Sequence, residues 1–297
     1  MAHDIEIRKL RFTFEHGVQP VWNPTQREWS HMVNGASLAM PYLEPFLNHT
    51  LREAQEHLDD AELVADVRGF IGQEAQHYTQ HRRYNEMLKA NGYPELAAVE
   101  ETFAADYRKL ARRSLAWRLA YAAGFETMTT GITEWLLGDR DRLFRGANPT
   151  VASLVLWHMV EETEHKTVAF DVFQAVSGSY PLRVLGLLYG SFHVGLMSRR
   201  GYVAMLKKDG CWHDLRSRLR LWSMVARFLV RAGGAMLHAL HPRHHPDQVR
   251  DPPWVQTWQH AYASSGGTTA PMLDTSAAGI PPVFAGARAG AGDREDR

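Results

Sequence analysis

The sequence predicts an all-α protein in which a four-helix bundle is followed by two further helices. The first observation is a doubled motif: two helical segments each carry a glutamate three residues before a histidine, Glu74 with His77 and Glu162 with His165. The second is that each pair follows a lone glutamate at about the distance of one helical hairpin. The third is a pair of long apolar segments after the second motif. In a four-helix bundle, the doubled motif is typical of a two-metal site.

An N-terminal arm is predicted over residues 1–24, before the first helix. Residues 5–14 alternate loosely and indicate an extended segment, with an apolar side of Ile5, Ile7, Leu10, Phe12 and Phe14. Charges stand where a signal peptide needs its apolar stretch, so we expect an untargeted, cytoplasmic protein. The single cysteine, Cys211, excludes an internal disulfide framework and fits a reducing compartment.

The bundle is predicted over residues 25–180. Its first helix has a break at Pro41, because proline removes a hydrogen bond and restricts the residue before it. The second helix ends at Asn91-Gly92, a strong stop signal. The predicted helical segments are 25–57, 60–90, 114–137 and 149–176, and residues 95–113 form a charged helix or connector.

The spacing of each motif suits metal binding, because residues three apart project from nearly one face of a helix. Two ions also need bridging ligands, and we expect these from Glu44 and Glu126. Glu44 lies 30 residues before Glu74, and Glu126 lies 36 before Glu162, so both halves are predicted to be antiparallel hairpins. Charged side chains are seldom buried unless they are paired or bound to metal, and Glu126 sits in an apolar stretch.

Further polar residues lie near these six. His81 and His158 stand four residues from a motif residue on the same helical stripe, and we interpret them as hydrogen-bonding partners of the ligands or as extra ligands. Thr130, one turn after Glu126, is a candidate catalytic hydroxyl, or a helix threonine bonded to its own backbone. His193 is a core histidine or an extra ligand.

Three other acidic residues are given lesser roles. Glu161 and Glu164 flank the second motif at other helical angles and are expected to face solvent, or to be capped by Lys166 and neighbouring arginines. Glu134 is kept as a reserve bridging ligand.

The two additional helices, within residues 181–245, are expected to pack on the bundle. Residues 199–250 hold 11 Lys or Arg against three Asp, a net charge of +8, although the whole chain balances 33 basic with 33 acidic residues. Arginines 216, 220, 227 and 231 share one helical face. A solvated polar face is the favoured interpretation, and peripheral membrane contact through 199–240 is the alternative. The overall balance indicates no nucleic-acid partner.

The chain from residue 246 to 297 is rich in proline, glycine and alanine. Such a composition buries little apolar surface. We therefore predict an extended, largely disordered tail over 246–297.

The set Glu44, Glu74-x-x-His77, Glu126 and Glu162-x-x-His165 resembles the ligands of the ferritin-like superfamily of di-iron carboxylate proteins. The stretches GQEAQHYTQHRRYNEML and WHMVEETEHKTVAFDVF resemble, more closely, a bacterial family labelled predicted metal-dependent hydrolase, over roughly residues 10 to 240. The resemblance implies a ferritin-like four-helix bundle with a di-metal centre.

The leading functional hypothesis is a non-haem di-iron oxidoreductase that uses O2 to hydroxylate, desaturate or N-oxygenate a small apolar or amphipathic molecule. Four carboxylates and two imidazoles suit two Fe ions, with Mn in either position as an alternative. No flavin or nicotinamide fingerprint is visible, so electrons would come from a separate reductase. The alternatives are a di-metal hydrolase using a bridging hydroxide and an iron-binding protein without turnover. A homodimer is expected.

Overall fold

The computed structural model describes residues 5–14, 17–267 and 269–283, and in this part of the chain the fold is almost entirely helical. Short 3-10 turns at Gln55–His57, Cys211–His213 and Pro246–Gln248 join some of the elements. The helices and strands are α1 Arg27–Ser37, α2 Met40–Ala54, α3 Ala61–Ala90, α4 Leu96–Leu110, α5 Leu115–Gly138, α6 Arg140–Phe144, α7 Pro149–Glu164, α8 Val168–Val176, α9 Tyr180–Lys208, α10 Leu215–Ala239, α11 Trp254–Ser264, β1 Met272–Leu273 and β2 Pro282–Val283.

Capping residues explain where the longer helices begin and end. The Asp60 carboxylate accepts the backbone N–H groups of Glu62 and Leu63, which would otherwise lack partners at the start of α3. The same helix ends before Gly92, whose φ of 108° is easily reached only by glycine. The predicted helix over 60–90 and its stop signal are therefore confirmed to within one residue.

Two predicted helices are interrupted. The segment 25–57 is divided at residues 38–39, and Pro41 stands in the first turn of α2, where its missing N–H costs nothing. The segment predicted as one helix over 149–176 is divided into α7 and α8. His165 is the first residue after α7, with φ −112° and ψ 11°, so the second motif straddles a helix end.

Helix α5 lies at the centre of the molecule and packs against α2, α7, α8, α9 and α10. Its contact with α9 is very close, because a side chain at Gly186 would meet the backbone oxygen of Ala120 at 2.0 Å. A similar approach occurs between α1 and α9, where Gly35 lies against Gly201. These glycines allow α9 to rest directly on the helices beneath it.

The extended N-terminal segment lies along α3. Leu10 and Phe12 are buried, and the Phe12 backbone N–H donates to Gln80 Oε1 at 3.1 Å. Gly69 and Gly72 leave room for Ile5 and Ile7. The arm therefore covers a helix face that would otherwise meet water; its residues 1–4 and 15–16 lie outside the described residues.

The predicted disordered tail is corrected for residues 246–283. Helix α11 buries Trp254, Trp258 and Tyr262, and the rings of the last two stack at 5.6 Å. Strands β1 and β2 pair antiparallel, with Met272 opposite Val283. The prediction averaged composition over the whole segment and so missed three aromatic residues at four-residue spacing, which form one apolar helix face. Residues 284–297 lie outside the described residues.

Among the described residues, no helix combines the length and apolar character needed to cross a bilayer.

Candidate metal centre

Four helices bring the six predicted ligands into one buried cluster. Each of these side chains is at most 4 % exposed, although four are carboxylates. They come from α2 (Glu44), α3 (Glu74, His77), α5 (Glu126), α7 (Glu162) and the residue after α7 (His165).

One half of the cluster is built around His165. Its Nε2 lies 3.4 Å from Glu74 Oε1, 3.5 Å from Glu162 Oε2 and 3.9 Å from Glu126 Oε2. One ligand atom from each of these four residues lies within 4.8 Å of the others. This is a compact pocket of three carboxylates and one imidazole.

The other half is built around His77. Its Nδ1 lies 3.3 Å from Glu74 Oε1 and 3.8 Å from Glu162 Oε1. Glu44, Glu74 and His77 form a second group whose ligand atoms lie within 4.8 Å of one another. Glu74 and Glu162 thus face both histidines and are placed between the two halves.

The expected bridging ligands differ from the observed arrangement. Glu44 and Glu126 were expected to bridge, but each lies at one end of the cluster. The two motifs face each other across the bundle, so their own glutamates occupy the middle and the lone glutamates flank them.

Unpartnered carboxylate oxygens test whether metal ions fit this cluster. Among the described residues, neither oxygen of Glu44 or of Glu126 has a hydrogen-bond partner, and both oxygens of each are buried. Burial, followed by the charge of Glu74, raises the pKa of Glu44, and burial, followed by the charge of Glu162, raises that of Glu126. Buried charges without partners are costly, and a bound cation removes that cost.

Hydrogen bonds around the cluster leave one nitrogen of each motif histidine free to bind a cation. Gln73 Nε2 donates to Glu164, so Gln73 Oε1 accepts from His165 Nδ1 at 2.8 Å. Glu161 Oε2 lies 2.9 Å from His77 Nε2, which therefore donates. The remaining nitrogens, His165 Nε2 and His77 Nδ1, both face carboxylates.

The surroundings of His77 favour its protonated form when no cation is bound. Burial alone would lower the pKa of His77, but hydrogen bonds with Glu161 and Glu74 outweigh burial and raise it. A protonated His77 then bonds both carboxylates, and a metal ion would have to displace its Nδ1 proton.

A chain of polar groups also sets the orientation of His81. Asn85 Nδ2 donates to the backbone oxygen of Ser37, so Asn85 Oδ1 accepts the Ser37 hydroxyl proton at 2.8 Å. Ser37 Oγ must then accept from His81 Nδ1, at 2.8 Å. His81 Nε2 is left as an acceptor for His158 Nδ1, also at 2.8 Å.

His158 therefore presents an unprotonated Nε2 to the cluster. That nitrogen lies 2.8 Å from Glu162 Oε1 and 3.8 Å from Glu44 Oε1. Burial lowers the pKa of His158, which favours its neutral form. A lone pair that faces carboxylate oxygens needs a cation or proton between them, so this geometry favours an extra ligand over a hydrogen-bond donor.

This orientation gives a testable difference between the two histidines. We expect His81→Ala to weaken metal binding by ~10- to 100-fold, as is typical when the partner of a ligand is removed. We expect His158→Ala to exceed that range for one of the two ions, because a ligand itself is lost. Competition with a coloured chelator measures both affinities. Equal effects for the two variants would contradict the assignment of His158 as a ligand.

Arg8 is a site residue that the sequence analysis missed. Its guanidinium contacts Glu164 through two nitrogens, at 2.7 and 2.8 Å, and Glu161 Oε1 at 3.2 Å. Glu161 then holds His77, while Glu164 holds the Gln73 that orients His165. One arginine from the N-terminal arm is thus connected to both motif histidines.

The expectation that Glu161 and Glu164 face solvent is therefore wrong. The alternative, capping by basic residues, holds for an arginine of the N-terminal arm but not for Lys166, which bonds Val249 and Asp251. Glu161 is fully buried, and Glu164 is bonded to Arg8, Gln73 and Gln259. Their faces of α7 are covered by the N-terminal arm and α11, which a bundle considered alone does not include. Two acidic residues beside a motif, together with the basic residues of the N-terminal arm, were the available signal.

His193 and Thr130 are placed away from the ligand positions. His193 Nδ1 bonds the Tyr121 hydroxyl at 2.9 Å, and no described His or Glu group that could hold a metal includes it. The Thr130 hydroxyl donates to the backbone oxygen of Glu126 at 3.1 Å. Glu134 also lies outside those groups, eight residues along α5 from Glu126.

A narrow crevice reaches the cluster from the surface beside Glu162. It is lined by residues of α5, of the end of α7 and the turn after it, and of a later loop: Thr130, Thr133, Glu134, Glu162, Thr163, Lys166, Val249, Arg250, Asp251 and Pro252. Its volume of ≈10 Å³ is about that of one water molecule. Lys166 Nζ closes the outer side by donating to Val249 O and Asp251 Oδ1.

Comparison with known proteins adds one positive finding. A family model matches residues 6–250, a span that includes the whole cluster and Arg8, and its description is predicted metal-dependent hydrolase. No curated protein and no solved structure matches the chain.

Proposed function

The chain belongs to the family of predicted metal-dependent hydrolases, and on that premise we propose that it is a hydrolase whose two metal ions are held by the buried cluster. The observation that carries the proposal is that the second ring nitrogen of each motif histidine faces carboxylates, some of whose oxygens have no hydrogen-bond partner among the described residues. Four carboxylates would neutralise two divalent cations. A ferritin-like bundle of α2, α3, α5 and α7 is part of the same proposal.

Each ion is assigned its own ligands. One would be held by Glu44, His77 and His158, the other by Glu126 and His165, and Glu74 with Glu162 would contact both. Imidazole with carboxylate suits iron or manganese. Two such ions would polarise a carbonyl or phosphoryl oxygen of the substrate and activate a water molecule.

The crevice beside Glu162 is the proposed route for the reacting group. Glu134 stands at its side, and partial burial raises the pKa of that carboxyl, which suits a group that takes up and returns a proton. Thr130 lines the same crevice and would orient substrate or water with its hydroxyl oxygen. Because the crevice holds about one water, a substrate would enter only after residues 249–252 move away from Lys166.

A second candidate keeps the oxygen-dependent di-iron oxidoreductase. The observation that favours it is the ligand arrangement, since two Glu-x-x-His pairs with one glutamate from each of two other helices is the pattern of di-iron and di-manganese carboxylate proteins. It would require O2, a separate reductase and a small apolar or amphipathic substrate. Helices α9 and α10 pack on α5 and α1, as expected for helices that cover the bundle.

Anaerobic turnover separates the two candidates. Metal-free protein is loaded with Mn(II) or Fe(II) without oxygen and tested on carboxylic and phosphoric esters that release a coloured alcohol. We expect hydrolysis that depends on added metal and is lost in Glu126→Ala. If the protein consumes O2 in the presence of a chemical reductant and shows no anaerobic turnover, the result contradicts the hydrolase and supports the oxidoreductase.

A further inference from the structure

The outward side of α10 is apolar and exposed. Six of its side chains are 57–78 % exposed and recur at helical spacing, so they share one face: Leu215, Leu219, Trp222, Leu229, Val230 and Leu237. The opposite side packs on the molecule, with Leu221 and Ala232 buried and Phe228 against Trp135 of α5. An amphipathic helix normally exposes its polar face, so the exposure of this apolar face to water is unfavourable in free energy.

A stripe of arginines runs beside this apolar face. Arginines 216, 220, 227 and 231 are exposed and lie between 100° and 160° around the helix from Leu215, on one flank of the apolar stripe. The sequence of α10 contains no acidic residue. The helix therefore combines an apolar stripe and a cationic stripe on its solvent side.

An open cleft concentrates this positive charge. Arg142 of α6, Arg227 and Arg231 border it, with Ser223 and Ala226 between them, and its volume is ≈390 Å³. Asp139 pairs with Arg142 at 2.9 Å and with Arg231 at 3.7 Å. Arg227 has no ion pair among the described residues. Three guanidinium groups against one carboxylate leave room for an anion.

Helix α9 also exposes apolar side chains. It runs antiparallel to α10, because the Tyr180 hydroxyl at its start donates to Leu240 O at the end of α10, at 2.7 Å. Both helices rest on α5, and α9 exposes Leu185, Leu188 and Phe192. Exposed apolar side chains are thus present on both of the helices that pack on α5.

From these features we propose that the outer face of α10 docks on the surface of an anionic phospholipid bilayer. The headgroup phosphates occupy the cleft between Arg142, Arg227 and Arg231, because guanidinium forks match phosphate oxygens. Trp222, Leu229 and Val230 enter the boundary between headgroups and acyl chains, as in other interfacial helices.

A second copy of the chain is a less suitable partner for this face of α10 than a bilayer. A twofold dimer would place the same face against itself. The arginine stripes of the two copies would then lie around one interface and repel each other, because α10 has no carboxylate to neutralise them. A bilayer of anionic lipids matches both stripes at once.

Sedimentation of the full chain with vesicles tests the proposal. We expect binding to vesicles of three parts phosphatidylcholine to one part phosphatidylglycerol, and much weaker binding to phosphatidylcholine alone or at high salt. Arg227→Gln/Arg231→Gln should weaken binding by about 10-fold or more, because two basic side chains that attract the anionic surface are lost. Leu229→Ser/Val230→Ser should also weaken it.

The matched control is Arg83→Gln on α3, an exposed arginine on a helix that packs on α2, α7 and α8. It should bind like the unchanged protein, and circular dichroism should show all variants folded. A blue shift of tryptophan emission on binding should shrink in Trp222→Phe.

The proposal is overturned if the full chain stays in solution with anionic vesicles, or if Arg83→Gln weakens binding as much as the double arginine variant. A dimer that dissociates in Leu229→Ser/Val230→Ser, without vesicle binding, would assign the face to self-association.

Discussion

Glu126→Ala and His165→Ala are each expected to lose stoichiometric binding of two metal ions. The two side chains belong to one group of four potential ligands, with His165 Nε2 3.9 Å from Glu126 Oε2. Removing either leaves the ion on that side with too few ligands. The metal-free variants should remain helical, because Glu126 makes no hydrogen bond through its carboxylate among the described residues.

Metal content per chain after reconstitution and desalting measures this loss, and circular dichroism checks the fold. Glu134→Ala is the matched control, since it makes the same substitution on the same helix outside the cluster. It should retain two ions. If Glu126→Ala or His165→Ala still bound two equivalents with unchanged affinity, the ligand assignment would be wrong.

Arg8→Met should destabilise the protein by about 3–5 kcal/mol, the range typical when one partner of a buried ion pair is removed. Arg8 is 4 % exposed and contacts two carboxylates, Glu161 and Glu164. Methionine preserves much of the side-chain volume but leaves both carboxylates without their cation. Glu161 should then hold His77 less firmly, so metal affinity should fall as well.

Urea unfolding of metal-free protein measures the stability, with Arg11→Met as the control because Arg11 is exposed on the same arm. Adding Glu164→Gln to Arg8→Met should recover part of the loss, since one unpaired charge is removed. A loss of stability no larger than that of Arg11→Met would show that the ion pairs of Arg8 add little to the stability of the protein.

The sequence was most informative where residues close together in the chain determine both the helix and the spacing of the ligands. The helix predicted over residues 60–90, with its stop at Asn91-Gly92, matches α3 to within one residue, and the i, i+3 spacing placed Glu74 and His77 on one face. The recurring distance between each lone glutamate and its motif correctly brought Glu44 and Glu126 to the same cluster.

The sequence was least informative where contacts join distant segments. Arg8 lies 153 residues from Glu161, and no local pattern connects them. Periodicity also could not reveal that His165 follows the end of α7, because the polar residues 161–167 include no glycine or proline that would mark the break. Gln73, which fixes the His165 ring, resembles any helix-forming residue until α3 and α7 are packed together.

The separation between Arg8 and its partners has a consequence for the order of assembly. Arg8 is synthesised long before Glu161 and Glu164, and closing so large a loop is slow because its entropy is lost before the contact forms. We expect the N-terminal arm to dock after α7 has packed. During synthesis, the His77 side of the cluster would therefore stay open to the surroundings, and the arm would close it last.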